Sequence, residues 1–184
     1  SQIKGDSLPV ENVSWQDAQD FIEKLNKISS KKYRLPFEAE WEYAARGGHK
    51  MSLEHSKYSG GNEISELAWY WRNSGDSVLR VRFDNELIKN NNCRTRIVGQ
   101  QNANQLGVFD MSGNVWEWCI DWYDPGYYLE SQLKNPQGSE KGKAKVCRGG
   151  GYTSKASFCR NGFRFSFPPD KSYDYLGFRL VQDK

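Results

Sequence analysis

The chain has 184 residues, with 26 lysines and arginines against 23 aspartates and glutamates, for a net charge of +3. That length makes one domain, 1–184, with a sizeable core, and so even a charge balance leaves no basic stripe for nucleic acid. No apolar run is long enough for a membrane-spanning helix, no secretory leader is visible, and the start at Ser1 reads as processed or truncated.

Seven Trp, ten Tyr and nine Phe beside 17 Gly point to large rings anchoring irregular backbone. Residues 12–28 read as a helix. Ser14 is its N-cap, and Asp17 completes an acidic version of the capping box. Ala18, Phe21, Ile22, Leu25 and Ile28 then recur at helical spacing. A second helix starts after Leu35-Pro36, favoured by Glu38, Glu40 and Glu42 at its positive end and closed by Gly47-Gly48.

Residues 46–105 are polar and rich in Gly, Asn and Ser, and read as loop with short elements near 68–71 and 78–83. Residues 124–143 form another loop. Strands are predicted at 146–149, 160–167 and 177–181, separated by Gly- and Pro-rich turns. Within 160–167, alternation places Asn161, Phe163, Phe165 and Phe167 on one side.

The four cysteines, Cys93, Cys119, Cys147 and Cys159, contain no C-x-x-C pair, which argues against structural zinc. Their number permits up to two disulfides. The two histidines, His49 and His55, sit in a polar loop and read as exposed.

The densest chemistry lies in Gly107-Val-Phe-Asp-Met-Ser-Gly-Asn-Val-Trp-Glu-Trp118. Asp110, Asn114 and Glu117 there are able to hold a cation or cap a turn. Together with Pro9-Val-Glu-Asn-Val-Ser-Trp15, Tyr33-Arg-Leu-Pro-Phe-Glu-Ala-Glu-Trp-Glu-Tyr-Ala-Ala45, Arg148-Gly-Gly-Gly151 and Gly177-Phe-Arg-Leu-Val181, this stretch resembles the formylglycine-generating-enzyme, or sulfatase-modifying-factor, family. The resemblance covers nearly the whole chain from Pro9. It implies an α+β, C-type-lectin-like fold of two helices, small antiparallel sheets and much irregular loop. The family's first strands, which precede the Pro9 motif, are missing.

The resemblance also implies a calcium ion. Asp110 and Glu117 would give carboxylate oxygens, and Gly113 and Val115 backbone carbonyls, a donor set that suits a hard cation. The ion would be structural. Catalytic members of the family carry two cysteines five apart that hold copper(I), which soft sulfur selects. Here Cys159 stands at the second of those positions and Ser154 at the first. A hydroxyl is a hard ligand and supplies no thiolate, so copper is disfavoured, and Cys159 would be catalytic only if another sulfur, such as Cys147, completed the pair. The scarcity of histidine also disfavours the family's iron-dependent relatives.

The remaining signal is the segment 152–175. Tyr152, Thr153, Ser154, Lys155, Ser157, Phe158, Asn161, Phe163, Phe165, Tyr173, Asp174 and Tyr175 mix rings with small polar groups, the chemistry of recognition surfaces. This pattern resembles the variable proteins of diversity-generating retroelements, which are often exported bacterial lipoproteins or phage receptors. Arg148, Arg160, Arg164 and Arg179 would be a framework paired within the fold. The expected function is a non-catalytic, monomeric binder of a protein or glycan ligand, exported to the surface or periplasm of a bacterium. The alternatives are a copper-dependent oxidase of peptide cysteine and a structural subunit of an exported assembly.

Overall fold

Helix α1 (Trp15–Ile28) opens on the capping box that its sequence encodes: the Asp17 amide donates to Ser14 Oγ, and the Ser14 amide donates back to Asp17 Oδ2 at 2.9 Å. The computed structural model describes residues 5–51 and 56–183. A short strand, β1 (Tyr33–Arg34), leads past Leu35-Pro36 into α2 (Glu38–Ala45). There the Phe37 amide donates to Glu40 Oε2, and the chain leaves the helix through Gly47 at φ +89°.

The long polar stretch that follows contains α3 (Asn85–Asn90), which the sequence reading left as loop. Asp84 caps it by accepting from the amides of Glu86 and Leu87. Residues 78–83, read as a short element, form no helix or strand, and 68–71 contribute only an isolated bridge from Trp69 to Gly113.

The central strand is β2 (Trp116–Trp122). It is followed by α4 (Tyr127–Glu130), β3 (Lys145–Arg148), β4 (Phe165–Phe167), β5 (Leu176–Gly177) and β6 (Val181–Gln182). The larger sheet has the order β4-β3-β2-β5, and β1 pairs with β6 in a second, two-stranded sheet. The pairings are antiparallel except β2 with β5, which is parallel. Residues 168–175 carry the chain from one edge of the sheet to the other, and β5 then runs the same way as β2.

The predicted strand at 160–167 shortens to Phe165–Phe167. Residues Ala156–Cys159 form a 3-10 turn, the Asn161 amide donates to the Lys57 carbonyl, and the Phe163 amide donates to the Arg160 carbonyl. Those bonds curl the backbone that alternation alone would leave extended. All four cysteines are free.

Three apolar clusters build the core. One joins Ala18 and Ile22 of α1 to Leu35, Trp116, Trp118, Cys147 and Leu176. A second gathers Tyr58, Leu67, Tyr70, Trp71 and Ile88 around Cys159. The third packs Trp41 and Ala45 of α2 on Met111, Cys119 and Val146. Large rings bury well over 100 Å² each, and here they also anchor loops through their polar edges. Trp118 Nε1 donates to the Val13 carbonyl and Trp15 Nε1 to the Cys119 carbonyl, both at 3.0 Å.

Candidate functional site

The stretch 110–117 turns sharply before entering β2. Asp110, Gly113 and Asn114 all take positive φ, at +57°, +80° and +64°. Glycine is required at 113, because a Cβ there would collide with the Trp69 carbonyl. Asn114 locks the turn to a neighbouring loop: its Oδ1 accepts from the Arg96 amide and its Nδ2 donates to the Arg96 carbonyl.

The two carboxylates of this turn differ in their surroundings. Glu117 is buried and fully engaged, accepting from Arg179 Nε and Nη2 and from Trp41 Nε1, each at 2.6 Å. Asp110 accepts from the Gly99 amide through Oδ2 at 2.7 Å, while its Oδ1 is buried and, among the described residues, without a hydrogen-bond partner. Burial, and then the charge of Glu117, push the Asp110 carboxyl above the usual range against the opposing pull of the Gly99 amide. Both line a cleft of about 510 Å³ with Val10, Val98, Phe109 and Phe178 on its lips. Among the described residues no group of three or more His, Cys, Asp and Glu side chains forms a metal site. A cation here would rest on Asp110, whose orphaned oxygen fits one, on the carbonyls of Gly113 and Val115, and on what Glu117 has left after Arg179.

At the position of the first copper cysteine, Ser154 is buried and its Oγ accepts from the Gly151 amide at 2.9 Å. Cys159 is also buried, with its thiol pushed up to about 12 by desolvation. Cys147 belongs to a different core cluster from Cys159, so the two do not form a replacement pair.

Of the framework arginines, three are paired. Arg148 is fully buried beside Glu38 and Glu42 and donates to the carbonyls of Asn161 and Phe163, both at 2.8 Å. Arg164 grips Glu38 at 2.7 and 2.8 Å. Arg179 holds Glu117. Arg160 departs from the expectation. Its Nε donates to the Ser157 carbonyl, and among the described residues it has no carboxylate partner.

The segment 152–175 divides by burial. Tyr152, Ser154 and Asn161 face inward; Thr153, Phe163, Tyr173 and Tyr175 are half-buried; Lys155, Ser157, Phe158, Phe165 and Asp174 are exposed. The rings of the segment are linked through the buried Trp116. From Phe158 the row runs through Phe163, Trp116, Phe165, Phe167 and Tyr173 to Tyr175, with successive centroids between 4.8 and 6.0 Å apart. Phe158 and Phe165 are 38% and 43% exposed, large fractions for rings of that size. Clefts flank both ends: one beside Tyr152, Asp174 and Tyr175, the other beside Phe163. His49 is exposed in a 3-10 turn, as expected, while His55 lies outside the described residues.

This scaffold of short sheets, two principal helices and long pinned loops is that of the C-type-lectin-like, formylglycine-generating-enzyme-like proteins. The model of the sulfatase-modifying factor enzyme 1-like domain matches residues 2–184, and the chain belongs to that family. It is 39% identical over 179 residues to the formylglycine-generating enzyme of Streptomyces coelicolor, covering 95% of this chain and 52% of that one. It is 33% identical over 217 residues to the chaperone protein LppX of Paenibacillus barcinonensis, covering 100% and 73%. Among solved structures, Treponema denticola variable protein 1 superposes with a TM-score of 0.76 at 29% identity, covering 95% of this chain and 70% of that one. PvdO from Pseudomonas aeruginosa gives 0.76 at 27% identity, covering 99% and 64%. The chain spans about half the length of the formylglycine-generating enzymes it matches.

Proposed function

We propose that this chain is a non-catalytic binding module that presents the ring row of 152–175 to a protein or glycan ligand. The observation that carries this reading is Ser154. It occupies the place of a copper-ligating thiolate, it is buried, and its hydroxyl is already committed to the Gly151 amide. Cys147 lies in another cluster from Cys159, and the thiol of Cys93, which packs on the Cys159 cluster, points to the Trp71 carbonyl, so the reading gives Cys159 no second thiolate for linear copper(I). Calcium belongs to the same reading as a stabiliser of the turn at Asp110, Gly113, Val115 and Glu117. Export from the cytosol follows from it, since calcium is more available outside.

The test is turnover followed by mass spectrometry. Purified chain and a Ser154→Cys variant are loaded with copper(I) and given a cysteine peptide of the sulfatase type under oxygen. The native chain is expected to leave the cysteine unchanged. Formylglycine produced by the native chain overturns the reading in favour of the copper-dependent oxidase, which identity to the formylglycine-generating enzymes supports.

A further inference from the structure

We infer that the cleft at the Phe163 end of the ring row is a binding site for a saccharide carrying a carboxylate or sulfate group. The inference rests on the reading of 152–175 as a recognition surface, since Asn161 and Phe163 belong to both. The cleft is about 500 Å³ and is lined by Arg46, Lys57, Arg160, Arg164, Asn161 and Phe163 among others.

Charge is the first argument. Arg46 pairs with Glu42 and Arg164 with Glu38, and the buried Arg148 draws on the same two carboxylates. Among the described residues Lys57 and Arg160 have no carboxylate partner, and both are exposed. Three cations thus share two carboxylates and two more stand beside them unpaired among the described residues, so the surplus faces the cleft. Guanidinium and ammonium donors placed this way suit a planar or tetrahedral anion.

The second argument is an orphaned acceptor. Asn161 is 1% exposed, its Nδ2 donates to the Ser56 carbonyl at 3.2 Å, and its Oδ1 has no hydrogen-bond partner among the described residues. A buried acceptor left bare costs free energy, and this one lines the cleft. A ligand that brings a donor as well as an anion suits this end of the cleft, once the Asn161 side chain turns its oxygen towards it. A sugar hydroxyl is such a donor, with the Phe163 ring, 4.8 Å from that of Phe158, offering an apolar face to the pyranose.

An acidic peptide docking by strand addition is the poorer match, because it would need a free backbone edge. The amides of Asn161 and Phe163 donate within the fold and their carbonyls accept from Arg148.

The experiment is titration, by calorimetry and by NMR of arginine Nε–H and asparagine side-chain signals. The ligands are a uronate disaccharide, a sulfated disaccharide, a neutral disaccharide of the same skeleton, inorganic sulfate and an Asp-containing tripeptide. The acidic disaccharides are expected to bind at least about tenfold more tightly than the neutral one, and a Lys57→Glu/Arg160→Glu variant is expected to lose at least about tenfold, the loss that goes with one charge-assisted hydrogen bond. The uronate and sulfate arms identify which anion is preferred. A Lys57→Gln/Arg160→Gln variant repeats the test without charge reversal, and the melting temperature of each variant checks its fold.

Equal binding of the neutral sugar, unchanged affinity in both variants, preference for the tripeptide, or no binding by either acidic disaccharide each overturns the proposal. A Phe165→Ala variant separates this failure from that of the recognition surface. A ligand lost in Phe165→Ala but held in the charge variants leaves the ring row standing and removes the cleft.

Discussion

Arg179 holds Glu117 at two points, Nε to Oε2 and Nη2 to Oε1, across 62 residues of sequence. Trp41 closes the third side. The strand that starts the central sheet is thereby tied to both α2 and the C-terminal end. Arg179→Met leaves a buried carboxylate without its counter-ion and should cost about 3–5 kcal/mol in denaturant unfolding, whereas the double variant with Glu117→Gln should recover much of that loss. A single variant that unfolds within about 1 kcal/mol of the parent would show the pair to be dispensable.

Asp110 gives the calcium expectation a handle. Its Oδ1 has no protein partner among the described residues and its carboxyl is pushed up by burial, so a bound divalent cation should relieve it. Millimolar calcium should raise the melting temperature, EGTA should reverse the rise, and Asp110→Asn should abolish the difference. Identical melting curves with and without calcium would remove the ion from this turn.

Stability should fall as the pH rises from about 4 to about 7. Burial holds the Asp121 carboxyl at about 7, opposed by the Glu38 amide that donates to it, while its unfolded value lies near 3.8. The folded state therefore binds the proton more tightly. This contribution is full below about pH 4 and is lost on the way to about 7, with a limiting slope of about 1.4 kcal/mol per pH unit. Lys145, sandwiched between Trp15 and Trp122 and lowered to about 8 by burial, recovers its own penalty only above that value. Asp121→Asn should flatten urea midpoints measured between pH 5 and 7. A parent whose midpoint climbs over that range contradicts the assignment.

Thiol chemistry should distinguish one cysteine from three. Cys119, Cys147 and Cys159 are buried, and desolvation raises all three thiols, while Cys93 is half-exposed. A thiol reagent at pH 8 should modify one residue quickly in the native chain and four in denaturant. An intact mass short by two hydrogens before reduction would reveal a disulfide instead.

Legibility in the sequence followed the range of the interaction. The first helix could be read because Ser14 and Asp17 are three residues apart and settle their own geometry. Strand β2 could not: Trp116 to Cys119 are buried on both faces, which erases alternation, and the arginine that holds the glutamate within it lies 62 residues further on. Residues 160–164 showed alternation and still curled, because partners at Lys57 and Arg148 lie far away in sequence. The four framework arginines look alike as letters. Only packing separates the three that are paired from Arg160.

Between Arg148 and Leu176 the chain adds one strand to the sheet, the edge strand β4. The spans on either side, 149–164 and 168–175, are thus bolted at both ends to strands whose register is set elsewhere. Both spans are also pinned along their length, Asn161 to Lys57, Ser154 to Trp71 and Tyr173 to Asn12. The exposed side chains of Lys155, Ser157, Phe158 and Asp174 take no part in those backbone bonds, so the shape of this face is separable from the chemistry it carries.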